Sequence, residues 1–162
     1  MHTAASRLYR LRPATPEDLP FQELLYGGSR QDELDAARFP AEMRASFLAM
    51  QFHAQTTHYL QYYPAADWLI IECGDVHAGR LILDRAKDHL HVMDILLLPE
   101  FRGRGIGSDV LRGVIAEASA RTVPVRLFAA PRERAIELYR RLGFQEKQGD
   151  NVHIELEWRP TP

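Results

Sequence analysis

Three stretches in the middle of the chain carry the apolar runs and alternations of strands: DWLIIECG (67–74), HAGRLILDRA (77–86) and HLHVMDILLL (89–98). Gly74-Asp75 and Ala86-Lys87-Asp88 supply turn chemistry between them, so the pattern predicts three successive strands. Ahead of these, SRLYRLRP (6–13) is short and alternating and reads as an edge strand. TPEDL opens a helix, with Thr15 as N-cap, Pro16 at the first helical position and Asp18 three residues after the cap. Gly27-Gly28 is expected to end it. A longer helix fits residues 40–63, where Phe47, Met50 and Ala54 form one stripe and Leu48, Phe52, Gln55 and Tyr59 lie beside it.

The second half alternates between the two periods. PEFRGRGIG (99–107) cannot be the interior of a strand or helix, because its glycines weaken both. SDVLRGVIAEASA (108–120) has helical spacing, and VPVRLFAA (123–130) reads as a strand. RERAIELYRRL (132–142) reads as a helix stopped by Gly143 as a left-handed cap. FQEKQ and HIELEW then form a hairpin around Gly149-Asp150-Asn151. The order β, α, α, β, β, β, α, β, α, β, β contains one central strand–helix–strand crossover. The expected fold is therefore α/β (α+β): a mixed, mostly antiparallel twisted sheet with helices on both faces. No repeat or linker divides the chain, and residues 1–162 are read as one domain.

A strand, a glycine-rich turn and a helix start together aim several unpaired backbone N–H groups at one point, assisted by the helix dipole. That point suits a phosphate or pyrophosphate. Glycines let the anion approach the amides, and Arg102 and Arg104 add positive charge without covering them. The dinucleotide fingerprint G-x-G-x-x-G fails, since its third glycine would fall on Ser108 or Val110. No G-K-[ST] follows, which removes a nucleoside-triphosphate loop. The net charge of −2 gives no general bias toward nucleic acid or anionic membrane. The single cysteine, Cys73, suits a reducing compartment and reads as core packing. With no apolar leader or spanning run, a cytoplasmic protein is expected. His89 and His91 share a strand face, but no third ligand at metal-binding spacing accompanies them, so no metal is expected.

What does match is R-x-x-G-x-G, from Arg102 to Gly107. Together with LRPATPEDLP, LLLPEFRGRGIGSDVL and RAIELYRRLGF, it makes nearly the whole chain resemble the GCN5-related N-acetyltransferase (GNAT) superfamily. The resemblance implies acetyl-CoA as acyl donor, with an unidentified amine acceptor on a small molecule or a protein. It implies that the backbone of Arg102, Gly103, Arg104, Gly105, Ile106 and Gly107 cradles the diphosphate, with the Ser108 hydroxyl at the helix start. It further implies that the main chain of Ile95 and Leu97, on a bulged strand, pairs with the pantetheine arm, and that the Ile95 N–H stabilises the oxyanion.

Tyr139 falls on the family tyrosine that protonates or orients the departing thiolate. Arg132 replaces an asparagine frequent in the family, and as a cofactor residue it would reach the phosphates. For the general base the resemblance leaves His91 and Asp94 as candidates, or water alone. On a regular strand those two residues face opposite sides. The stripe of Met43, Phe47, Met50, Phe52 and Tyr59 either packs in the core or lines the acceptor pocket, and YLQYYP is aromatic enough to line one too. Asp32, Glu33, Asp35 and Glu42 read as a solvated face rather than a polycation site. The alternative within the same fold is a non-catalytic acyl-CoA sensor. A homodimer is compatible with the resemblance, and tRNA acylation is disfavoured by the acidic balance.

Overall fold

The structure, a computed structural model, describes residues 8–131, 133–150 and 152–162. Its elements are β1 (Arg10–Pro13), α1 (Leu19–Ala36), α2 (Ala41–Tyr62), β2 (Asp67–Cys73), β3 (Val76–Arg85) and β4 (Leu90–Leu97), followed by α3 (Ile106–Arg121), β5 (Val125–Ala129), α4 (Ala135–Arg141), β6 (Gln145–Gly149) and β7 (Ile154–Trp158). The strands form one sheet in the order β1-β2-β3-β4-β5-β7-β6. Among the described residues only β4 and β5 pair in parallel, across the α3 crossover. The mixed, mostly antiparallel architecture expected from the pattern is the one observed.

α3 and α4 cover one face. Ile106, Val110, Leu111, Ile136 and Tyr139 pack there against Leu81, Leu83, Val92 and Leu127 of the strands. α1 and α2 cover the other, where Gln22, Phe52 and Gln55 meet Arg80 and Asp94. No helix among the described residues is long and apolar enough to cross a membrane.

Three expectations change. α1 does not end at Gly27-Gly28 but continues to Ala36. Tyr26 and Leu34, both buried, anchor the helix on either side of the pair, and a side chain at Gly27 would sit 3.7 Å from Leu48 of α2. Tertiary packing thus outweighs the cost of about 1 kcal/mol per helical glycine. Second, the stripe expected to be core on α2 is partly wrong. Met43 and Met50 are exposed, and Phe52, Gln55 and Tyr59 face the sheet instead. Third, α4 is shorter than RERAIELYRRL and begins at Ala135, although Gly143 does follow it in the left-handed region at φ 99°.

Candidate active site

The site is built where β4 changes partner. β4 pairs with β5 over Leu90–Val92 only, opposite Val125–Leu127, and past that point the two parallel strands diverge. Along β3 the register shifts at the same place: Leu83 faces Val92, but Ile82 faces Asp94, which leaves Met93 as an extra residue. This bulge reverses the alternation, so His91 and Asp94 lie on one face, that of α2, rather than on opposite faces. The Tyr59 hydroxyl donates to the Met93 carbonyl at 3.4 Å and fastens α2 onto the bulge.

Beyond the bulge, Leu98 N–H donates to Ala78 of β3 at 2.8 Å. By the alternation of a strand, the N–H groups of Ile95 and Leu97 point away from β3, into the divergence. The side chains of both pack against the α3 core. The Leu97 carbonyl is already engaged by Arg102 Nε at 3.1 Å.

The glycine loop closes the far end. Gly103 and Gly105 have φ of 73° and 83°, a conformation open to glycine at little cost. A Cβ at Gly103 would meet nothing within 4 Å, and one at Gly105 only Leu8 at 4.0 Å. Protein packing therefore does not select glycine here; backbone conformation and an uncovered surface do. Gly105 is the N-cap of α3, and among the described residues no side chain caps that end. The helix begins at Ile106 rather than Ser108, so Ser108 sits inside the first turn. The first intrahelical bond runs from Asp109 N–H to Gly105 at 3.0 Å, and the N–H groups of Ile106, Gly107 and Ser108 have no acceptor within the helix. Arg102 and Arg104 are exposed, with Arg104 5.3 Å from the Phe101 ring. This donor set, amides without a side-chain cap beside exposed guanidinium groups, fits a diphosphate. Arg132, expected beside it, lies outside the described residues.

Tyr139 is buried on the α3–α4 face, its ring 5.8 Å from Phe144. Burial pushes its phenol well above the usual value, with the carboxylates of Glu133 and Asp94 adding to the effect. It is therefore a hydroxyl at any neutral pH. His91 is half-buried between Tyr63 (5.5 Å between ring centroids) and Phe128 (6.0 Å). Burial lowers its proton affinity, and the neighbouring His89 and Arg126 lower it further against the opposing pull of Asp84. Asp94 is spoken for: its Oδ2 accepts from Arg80 Nε at 2.9 Å and Nη2 at 2.5 Å.

Arg80 is the residue that sequence reasoning passed over. It is fully buried and also donates to Gln22 (3.2 Å) and Gln55 (3.0 Å), with Phe52 and Trp68 rings each 5.9 Å from its guanidinium carbon. The available signal was an arginine and an aspartate of opposite charge inside adjacent apolar strand patterns. Cys73 packs against the α3-side core, and burial pushes its thiol up. Asp35 and Glu33, in the acidic segment before α2, are paired with Arg44 and Arg30. Among the described residues no group of three or more His, Cys, Asp or Glu is arranged to hold a metal ion.

The sequence matches the Acetyltransferase (GNAT) family over residues 32–144. No curated protein matches it. Solved structures with a similar fold include the PaiA N-acetyltransferase from Thermoplasma acidophilum in complex with coenzyme A, with a TM-score of 0.73 and 16% identity over 93% of this chain and 98% of that one. A GCN5-related N-acetyltransferase from Rhodopseudomonas palustris aligns with a TM-score of 0.66 and 21% identity over 93% of this chain and 94% of that one. A GNAT family acetyltransferase from Elizabethkingia anophelis with acetyl-CoA bound aligns with a TM-score of 0.59 and 14% identity over 94% and 98%. At these identities the likeness is one of fold.

Proposed function

The chain belongs to the acetyltransferase (GNAT) family, and from that premise we propose that it moves an acetyl group from acetyl-CoA to a primary amine by direct attack in a ternary complex. The observation that carries this reading is the coincidence at one place of the β4–β5 divergence, the Met93 bulge and the uncapped start of α3. Coenzyme A-bound relatives of the same fold support it.

Acetyl-CoA supplies an activated thioester. The protein supplies position and proton traffic. Backbone N–H groups from Gly103 to Ser108 and the two loop arginines hold the diphosphate, whereas the Arg102 N–H, expected among them, is already given to the Pro99 carbonyl at 3.2 Å. The outward N–H groups of Ile95 and Leu97 hold the arm that leads into the divergence as an added strand would be held. As charge grows on the carbonyl oxygen, the Ile95 N–H is the donor placed to stabilise it. His91, uncharged at neutral pH, takes the proton that the ammonium must lose, directly or through water. Asp94, held by Arg80, orients rather than abstracts. The Tyr139 phenol, kept protonated by burial, donates to the departing thiolate.

The test is calorimetric titration with acetyl-CoA combined with free-thiol release over an amine panel. Saturable binding with acceptor-dependent thiol release is expected. Binding with no turnover across the panel would favour an acyl-CoA sensor, and no binding at all would sink both readings.

A further inference from the structure

Aromatic rings gather on the α2 side of the cleft. Phe128 is the first residue of β5 beyond its pairing with β4, and it shares a face with Arg126, the partner of His91. It is 57% exposed, although Leu127 and Ala129 on either side are buried. From it a row of rings runs inward: His91 at 6.0 Å, then Tyr63 at 5.5 Å, Tyr59 at 6.4 Å and Trp68 at 6.0 Å, each distance counted from the ring before. The row ends at the Arg80 guanidinium that grips Asp94.

The charges on this side cancel. By register, Asp84 stands opposite His91 and Glu155 opposite Phe128, so both share the face with Asp94 and Glu157. Against these four carboxylates stand Arg80 on Asp94, and Arg126, Lys147 and Arg159 on Glu157. A polycation is recognised by a surplus of carboxylates, and across this face cations and carboxylates are equal in number, with Asp84 and Glu155 entering no ion pair among the described residues. One exposed ring and the half-buried rings behind it, beside the carboxylate that Arg80 orients, suit a flat apolar body bearing one ammonium group.

We propose that the acceptor is a primary monoamine with an aromatic body, its ring seated on Phe128, His91 and Tyr63 and its amino group directed toward the Asp94 that Arg80 holds. This rests on the acetyl-transfer reading above. In the step, the amine nitrogen forms a bond to the acetyl carbon and the carbon–sulfur bond breaks. The proton leaving nitrogen goes to His91 or water, and the thiolate takes one from Tyr139.

The experiment compares initial rates of thiol release for 2-phenylethylamine, n-propylamine, spermidine and a lysine-containing peptide. The aromatic amine should have a kcat/KM at least about tenfold above the others, the scale of one aromatic contact. Phe128→Ala should raise KM for 2-phenylethylamine about tenfold more than it raises KM for n-propylamine. Faster turnover of spermidine or the peptide, or a Phe128→Ala variant with unaltered preference, would overturn the proposal. A second readout separates it from the transfer reading: saturation-transfer NMR of 2-phenylethylamine on the whole protein, with and without coenzyme A. Ring-proton signals lost in Phe128→Ala support the acceptor class even if no turnover occurs, and their absence in the wild type refutes it.

Discussion

On the α3–α4 side of the sheet the buried residues are Ile, Leu, Val, Ala and Phe, with Tyr139 among them. On the α1–α2 side lie all the buried charged or amide residues of the described chain: Asp18, Gln22, Glu72, Arg80 and Glu157. The first face is held by apolar burial, which is strong but indifferent to direction. The second buries Leu25, Tyr26, Phe52, Ile70 and Ile82 as well, and adds hydrogen-bonded ion pairs, which contribute little net stability and fix geometry. The division matches the labour proposed for the two sides. In that proposal the donor would be gripped mainly by main chain at the edge of the apolar face, whereas the acceptor would meet side chains whose orientation has to be set.

The largest test of this contrast is Arg80→Met. It leaves the Asp94 carboxylate without its partner and should cost about 3–5 kcal/mol in urea unfolding. Arg80→Met/Asp94→Leu should recover most of that loss, because an apolar pair of similar volume needs no compensation. If the single variant is as stable as the double, the polar layer is not held by this pair. Next comes Gly105→Glu. A negative side chain over the first-turn amides should weaken acetyl-CoA binding more than about 100-fold, the equivalent of two charge-assisted hydrogen bonds. Gly105→Ala separates the causes. The new methyl meets only Leu8 at 4.0 Å, so its effect should be the left-handed strain of about 1–2 kcal/mol on folding. Smaller again is Tyr139→Phe, expected to lower kcat at least about tenfold with acetyl-CoA affinity intact, below the usual range for a lost general acid since water can substitute.

The same contrast explains what the sequence disclosed. The apolar face was legible: the order of elements along the chain, the crossover and the cap at Gly143 follow from periodicity and turn chemistry, whereas the start of α3 at Ile106 was read two residues late. The polar face was not. A buried arginine has the same letter as a surface one, and nothing local to Arg80 says that Gln22, Gln55 and Asp94 will converge on it from 58, 25 and 14 residues away. The bulge at Met93 was expected only from the family resemblance, since it is a matter of register between β3 and β4 and not of composition. It matters most for His91 and Asp94, which strict alternation would separate. α1 shows the opposite failure, a strong local stop signal at Gly27-Gly28 overridden by contact with α2.

The smallest expected effect lies in how the two faces titrate. His91, on the polar side, has its proton affinity lowered from the usual 6.5 by burial. As pH falls, the unfolded chain takes up this proton first, so stability is full above about pH 6.5 and declines below it. Tyr139, on the apolar side, is raised above its usual 10 by burial, so its contribution is full below about pH 10 and is lost as pH rises and the unfolded chain ionises first. Melting temperature measured against pH should therefore show His91→Asn flattening the acid limb alone and Tyr139→Phe the alkaline limb alone. The two variants should superpose on the wild-type slope between those limits. An acid limb unchanged in His91→Asn would mean that the imidazole is solvated in the folded protein, and it would lose its place in the ring-lined wall along with its readiness as a base.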